Sequence, residues 1–153
     1  RIAVMSKGNI LQIGSPHDIY VRPIDHFVAN FIGETNFLKG RVKTKKAGKV
    51  TLVMSAGGTL VADIPESGVS EGDVSVVVRP ENAVLVAPSK GDFRGTVENI
   101  VYFGTDTHVH LRLDDGAPFI VRQQNAAGDS VEVKRGDKPG ISVAAGTPRI
   151  LKD

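Results

Sequence analysis

From Phe37 onward the spacing of apolar residues changes to a period of two, and that change does most to limit what this chain can fold into. Beyond it, Val74, Val76 and Val78 alternate with Ser75, Val77 and Arg79, and Val109, Leu111 and Leu113 alternate with His108, His110 and Arg112. A period of two turns alternate side chains to opposite faces of a strand, one toward a core and one toward water. Turn-forming clusters separate such stretches at Ala56-Gly57-Gly58, Ser70-Glu71-Gly72-Asp73, Asp114-Asp115-Gly116 and Ala127-Gly128-Asp129. Short alternating strands between regular turns predict an all-β barrel or sandwich from Phe37 onward.

The strands repeat. Phe37-Leu38-Lys39-Gly40-Arg41-Val42 resembles Phe93-Arg94-Gly95-Thr96-Val97, and each copy opens about 50 residues of similar layout (~50 residues is also too small a unit to bury a core alone). In each a glycine turn precedes an apolar strand, at Gly58-Thr59-Leu60-Val61 and at Gly116-Ala117-Pro118-Phe119-Ile120-Val121, and Val74-Ser75-Val76 is matched to Ile141-Ser142-Val143. Two such units would leave exposed edges unless they form one closed or interlocked barrel.

Residues before Phe37 read differently. Ile2 to Met5 and Ile10 to Ile13 flank the turn cluster Ser6-Lys7-Gly8-Asn9 and predict a hairpin. Ser15-Pro16-His17-Asp18 is a helix start, with Ser15 as cap and Pro16 at the first helical position, and that helix ends before Pro23. Ile24, Phe27, Val28 and Phe31 lie at i, i+3, i+4 and i+7, which predicts a second helix with one apolar face, stopped at Gly33. Since Arg1 already stands inside a strand pattern, the chain is expected to be a fragment of something longer.

Composition removes several function classes. With no cysteine, the chain can hold neither disulfides nor thiolate metal sites, which fits a cytosolic protein. No apolar run approaches the roughly 20 residues of a membrane-spanning helix. Six cations, Lys39, Arg41, Lys43, Lys45, Lys46 and Lys49, crowd eleven positions. They could meet phosphates, but lysines also blunt exposed sheet edges, and a solvated strand and turn is the simpler reading. Aromatics are 5% of the chain, too few for a base-stacking platform, so no nucleic-acid partner is expected.

Catalytic patterns are equally sparse. No phosphate-binding G-x-x-x-x-G-K-[ST] loop occurs. Gly68-Val69-Ser70-Glu71-Gly72 fits the G-x-S-x-G nucleophile elbow, but that motif needs a strand before the serine and a helix after it, whereas a strand follows here. His108 and His110, with Asp106 and Arg112 nearby, lack a third ligand for a metal, and a solvent-facing strand accounts for them. No catalytic, cofactor or metal residue is therefore assigned.

The run from Arg1 to Tyr20, Pro23, and Phe27-Val28-Ala29-Asn30-Phe31-Ile32-Gly33 resembles the last stretch of the ATP-binding subunits of ABC importers. Val78-Arg79-Pro80-Glu81 and Tyr102-Phe103-Gly104 resemble signatures of the accessory barrel called TOBE, so residues 1–36 look like the tail of a nucleotide-binding domain and residues 37–153 like a TOBE barrel. The fold implied is mainly β, an OB-like (TOBE/MOP-like) barrel of two similar units behind a short hairpin and two short helices. Phe31-Ile32-Gly33-Glu34-Thr35-Asn36 looks most like the spermidine/putrescine branch, with sugar and iron importers as neighbours. Ala144-Ala145-Gly146-Thr147-Pro148 departs from the family, where many relatives carry a tryptophan.

The resemblance implies a module that is no enzyme alone and has no cofactor of its own. ATP and Mg would bind a preceding part of the parent, and a second ATP-binding subunit, membrane-spanning subunits and a small-molecule regulator would be its partners. The place implied is cytoplasmic, at the inner face of the membrane. Related barrels bind oxyanions such as molybdate, which supplies an alternative reading with Lys39, Arg41 and Arg79 as the basic contacts. Arg79 falls on the face opposite Val74, Val76 and Val78 and just before Pro80, so it is expected at a rim, beside Glu81, either as a solvated strand end or in a bidentate contact across units or to the partner subunit, where its replacement would barely alter the fold.

Overall fold

The computed structural model describes residues 1–125 and 131–151; the expected turn at Ala127-Gly128-Asp129 lies outside them. At the start, β1 (Ile2–Ser6) and β2 (Asn9–Gly14) pair around Lys7 and Gly8, whose φ of 49° and 81° suit the twist of a tight hairpin. In α1 (Pro16–Val21), the Ser15 hydroxyl accepts the Asp18 N–H at 3.1 Å, and in α2 (His26–Ile32) the Asp25 carboxylate accepts the Val28 N–H at 2.8 Å. Each cap satisfies an amide that the first helical turn leaves unpaired.

The expected apolar stripe is rotated. Ile24 precedes α2, and Phe27 and Phe31 stack on one another in the open, with Phe31 67% exposed. The buried positions are Val28 and Ala29, with Ile32 partly covered. Val28 joins Val4 and Ile19 in a small core under the hairpin, while Ala29 packs with Val77 and Leu151 of the barrel. Two apolar neighbours on adjacent residues mean that α2 is wedged between two bodies, which a single-stripe reading cannot register.

The barrel comprises β3 (Asn36–Lys46), β4 (Lys49–Met54), β5 (Thr59–Asp63), β6 (Asp73–Val78), β7 (Ala83–Val86), β8 (Phe93–Tyr102), β9 (Asp106–Leu113), β10 (Pro118–Gln124), β11 (Gly140–Val143) and β12 (Arg149–Ile150). One sheet has the order β12-β6-β3-β4-β5 and the other β7-β11-β8-β9-β10, all neighbours antiparallel. The orders are the same except that the fifth strands are exchanged: β7 leaves the first unit to finish the second sheet, and β12 returns to finish the first.

The pairing registers make the repeat residue by residue. Gly40 faces Met54 as Gly95 faces Leu113, Leu52 faces Leu60 as Leu111 faces Phe119, and Leu38 faces Val76 as Phe93 faces Ile141. Both long strands are bulged at matching points, between Val42 and Thr44 and between Val97 and Asn99. Ile141-Ser142-Val143 therefore corresponds to Val76-Val77-Val78, two residues beyond the match expected from sequence; a slip of two preserves which side chains face inward. A Cβ on Gly40 would stand 3.0 Å from the Met54 sulfur and one on Gly95 3.2 Å from the Leu111 Cβ, so neither strand start tolerates a side chain without a shift.

Side chains of both units fill one core, in which Phe93 and Phe119 meet edge to face with centroids 5.5 Å apart. Buried Asn36 ties the start of β3 to the edge of β10: its amide donates to the Ile120 carbonyl at 2.9 Å and its oxygen accepts the Ile120 N–H at 2.7 Å. One side chain thus meets the main chain as a neighbouring strand residue would. The six cations from Lys39 to Lys49 are all exposed, as the solvated reading holds, and Lys45 and Lys49 bond Val69 and Asp63. Residues 64–72 form the loop into β6, so no helix follows Ser70.

Replacing Phe119 with alanine should cost about 3–5 kcal/mol, read from urea unfolding by circular dichroism. Because each sheet contains a strand from the other unit, wild type and variant should each unfold in one transition; two separable transitions would contradict the interlocked core.

Candidate functional site

Arg79 sits at the crossover where the chain leaves β6 for β7, and four main-chain oxygens converge on it. Nη1 donates to the carbonyls of Ala29 at 3.0 Å, Gly33 at 3.0 Å and Glu34 at 3.2 Å, and Nη2 to that of Tyr20 at 3.0 Å. These carbonyls lie around the ends of α1 and α2, where the last turn of a helix leaves oxygens without intrahelical partners and where its dipole favours a cation. The guanidinium carbon also lies 4.2 Å from the centre of the Tyr20 ring. Gly33 leaves room for that ring, since a Cβ there would approach it to 3.1 Å.

The expected rim position of Arg79 is overturned, because it is only 5% exposed. The alternation was right about its face, but residues before Asn36 fold back over that face and bury Val77 with it. Burial pushes the guanidinium below its ordinary pKa, yet it remains a cation, held by carbonyl dipoles. Glu81 instead accepts a hydrogen bond from the Tyr20 hydroxyl, and burial followed by that bond pushes the phenol up to about 12.

A second polar group lies at the same junction. The His108 ring nitrogens stand 3.5 Å from Glu34 Oε2 and 3.5 Å from Asp106 Oδ2, and Phe103 packs against the ring. Asp106 also accepts from the Arg122 Nε–H, which is the main reason its carboxyl is held below the usual range. The expectation that His108 faces solvent beside Arg112 is therefore corrected: its side chain is 16% exposed, and Arg112 pairs with Glu98 at 2.9 Å instead. Tyr20, Glu34, Asn36 and Arg122 escaped sequence reasoning; the only signal was strand pairing, which sets Arg122 opposite His108.

Lys39 and Arg41 lie on the same face of the sheet as Arg79, toward the far end of its strands. They line a cleft of about 560 Å³ with Val53, Met54, Ser55, Asp73 and Ser75. Arg41 Nε is 2.9 Å from Asp73 Oδ1, and each holds the other in its charged form, so these three side chains carry a net charge of one. Arg79 and Glu81 do not reach this cleft, and the trio Lys39, Arg41 and Arg79 is not brought together.

Residues 76–151 match the TOBE domain family. The chain carries a TOBE domain. Over its whole length it is similar to the spermidine/putrescine import ATP-binding protein PotA of Mesorhizobium japonicum, at 50% identity over 153 residues, covering 100% of this chain and 42% of that protein. The protein of the same description from Ruegeria pomeroyi is 44% identical over 153 residues, again covering 100% of this chain and 41% of that one. The chain thus spans about two fifths of the length of the curated relatives it matches. A crystal structure of the cytoplasmic molybdate-binding protein ModG with molybdate bound superposes with a TM-score of 0.64 at 21% identity, covering 77% of this chain and 96% of that one, a likeness of OB-like fold. The TOBE match opens inside β6, so it takes in Arg79 but leaves out the helices that bury it.

Replacing Arg79 with alanine leaves four carbonyls around the helix ends without their donor and should cost about 3 kcal/mol in urea unfolding, against less than about 0.5 kcal/mol for exposed Lys39→Ala. Asp106, whose folded-state pKa is depressed, contributes stability above the ordinary carboxylate range and loses it as the pH falls through the folded value. Asp106→Asn should therefore flatten the stability profile below about pH 4.

Proposed function

We propose that this chain is the C-terminal accessory end of the ATP-binding subunit of an ABC importer for polyamines of the spermidine/putrescine type. Residues 1–36 would be the tail of the nucleotide-binding domain and residues 37–153 the TOBE barrel. The observation that carries the reading is the match at 50% identity across every residue, hairpin and helices included, to an import ATP-binding protein. The clasp around Arg79 supports it physically, since it joins the two segments by buried bonds.

In this reading the chain performs no ATP chemistry. ATP and Mg bind the part of the subunit that precedes it, and the barrel helps to hold two ATP-binding subunits together and to regulate uptake. The assembly works in the cytoplasm at the inner membrane face, with membrane-spanning subunits and a small-molecule regulator as further partners. Sugar and iron importers share the architecture, and the substrate is chosen largely outside this chain.

Oxyanion binding is the second reading, and the cleft beside Lys39 and Arg41 is the feature that favours it. The pairing of Arg41 with Asp73 counts against it, because one net positive charge poorly matches a dianion.

Cells lacking the complete gene should lose uptake of radiolabelled spermidine and regain it with the gene restored, and unchanged uptake would overturn the polyamine assignment. The isolated chain should give no saturable heat with ATP, molybdate or sulfate in calorimetry. A low-micromolar ATP dissociation constant would overturn the accessory role, while molybdate or sulfate binding that disappears in Arg41→Ala would favour the second reading.

A further inference from the structure

Helix α2 faces two bodies, and its attachments to them are unequal in kind. Toward the hairpin it contributes Val28 to a core with Val4 and Ile19, flanked by Leu11 and Ile32. Polar links there come from Gln12, whose amide donates to the Arg22 carbonyl at 2.9 Å and accepts the Ile24 N–H at 3.0 Å, both exposed to water. Toward the barrel Ala29 joins Val77 and Leu151, flanked by Phe37, a smaller core.

The polar links on the barrel side differ. Arg79 binds carbonyls around the ends of both helices, Tyr20 bonds Glu81, Glu34 approaches His108, and the His26 ring stacks on Phe37 at 4.7 Å. Asn36, immediately beyond, is bonded twice to β10. Hydrogen bonds to a charged, buried donor are worth more than neutral exposed ones, and breaking them strands polar groups away from water. With the larger apolar core on the hairpin side, the attachment of the helices to the barrel rests on Arg79.

We infer that α1 and α2 move with the barrel as one rigid body, that the boundary which yields lies between the hairpin and α1, at Gly14–Ser15, and that Arg79 is the positioning residue fixing the helices to the barrel. The mechanical boundary then lies some twenty residues before the point where the sequence changes period at Phe37. A displacement of the barrel would carry α1 and α2 with it, without slack at residues 33–36, and would be taken up at Gly14–Ser15. This holds whether or not the transported substrate is a polyamine.

Native-state hydrogen exchange of this chain at low denaturant, read amide by amide, tests it. In the wild type the amides of α2 should open together with those of β4 and β9, and those of β1 and β2 at least about tenfold more often. Arg79→Ala should speed exchange in α1 and α2 by about tenfold or more relative to β1 and β2 while leaving β4 and β9 in step, and Arg79→Lys, which keeps the charge but loses the planar fork, should fall between. If Arg79→Ala does not fold, Arg79→Lys carries the comparison alone. Wild-type α2 amides that open with the hairpin, or an Arg79 variant whose helix amides gain no exchange relative to those of β1 and β2, would overturn the inference.

Discussion

A buried guanidinium held by main-chain carbonyls organises this molecule. Arg79 offers donors in a rigid plane, and the chain supplies oxygens from around the ends of two helices that a sheet face could not otherwise hold. Helices of six and seven residues are too short to be stable alone, and their last carbonyls would compete for water. Placing one cation among those oxygens satisfies them, roofs Val77 and Phe37, and fixes the direction in which the chain enters β3. A lysine could offer the charge but not donors aimed at oxygens from two helices at once.

The exchange of fifth strands is the second constraint. Taken separately, each unit is a four-stranded curl whose β6 or β11 edge is uncovered, too small to exclude water from its interior. Trading β7 and β12 gives each sheet its last strand and makes each unit's completion depend on the other. Arg79 lies at the first of the two crossovers; the equivalent position in the second unit is Ala144, where among the described residues no helix is anchored. The duplication is therefore close in the core and broken at the surface.

Much of the fold could be read beforehand because strand alternation and turn chemistry are local. Val109, Leu111 and Leu113 point inward, Ser15 caps its helix, and Gly40 and Gly95 mark equivalent points, all from spacing alone. What escaped depends on who covers whom. Val77 and Arg79 occupy the face opposite the barrel core, and alternation cannot distinguish a face open to water from one roofed by residues nearly fifty positions earlier. The same blindness hid Asn36, whose partner Ile120 is 84 residues away, and it misplaced the stripe on α2, because a helix packed on two sides has no single apolar face.

The exchanged strand also has a consequence in time. On the ribosome the first sheet emerges through β6 and then waits for β12, which begins 71 residues after Val78. At ordinary elongation rates that is a delay of roughly 4–14 s. Throughout it the outer hydrogen-bonding groups of β6 lack their strand, a nascent edge able to pair with a neighbouring chain. Contacts of such long sequence separation also close slowly once the whole chain is present. Efficient production of this barrel in a crowded cell should therefore depend on whatever shields that edge until the last strand arrives.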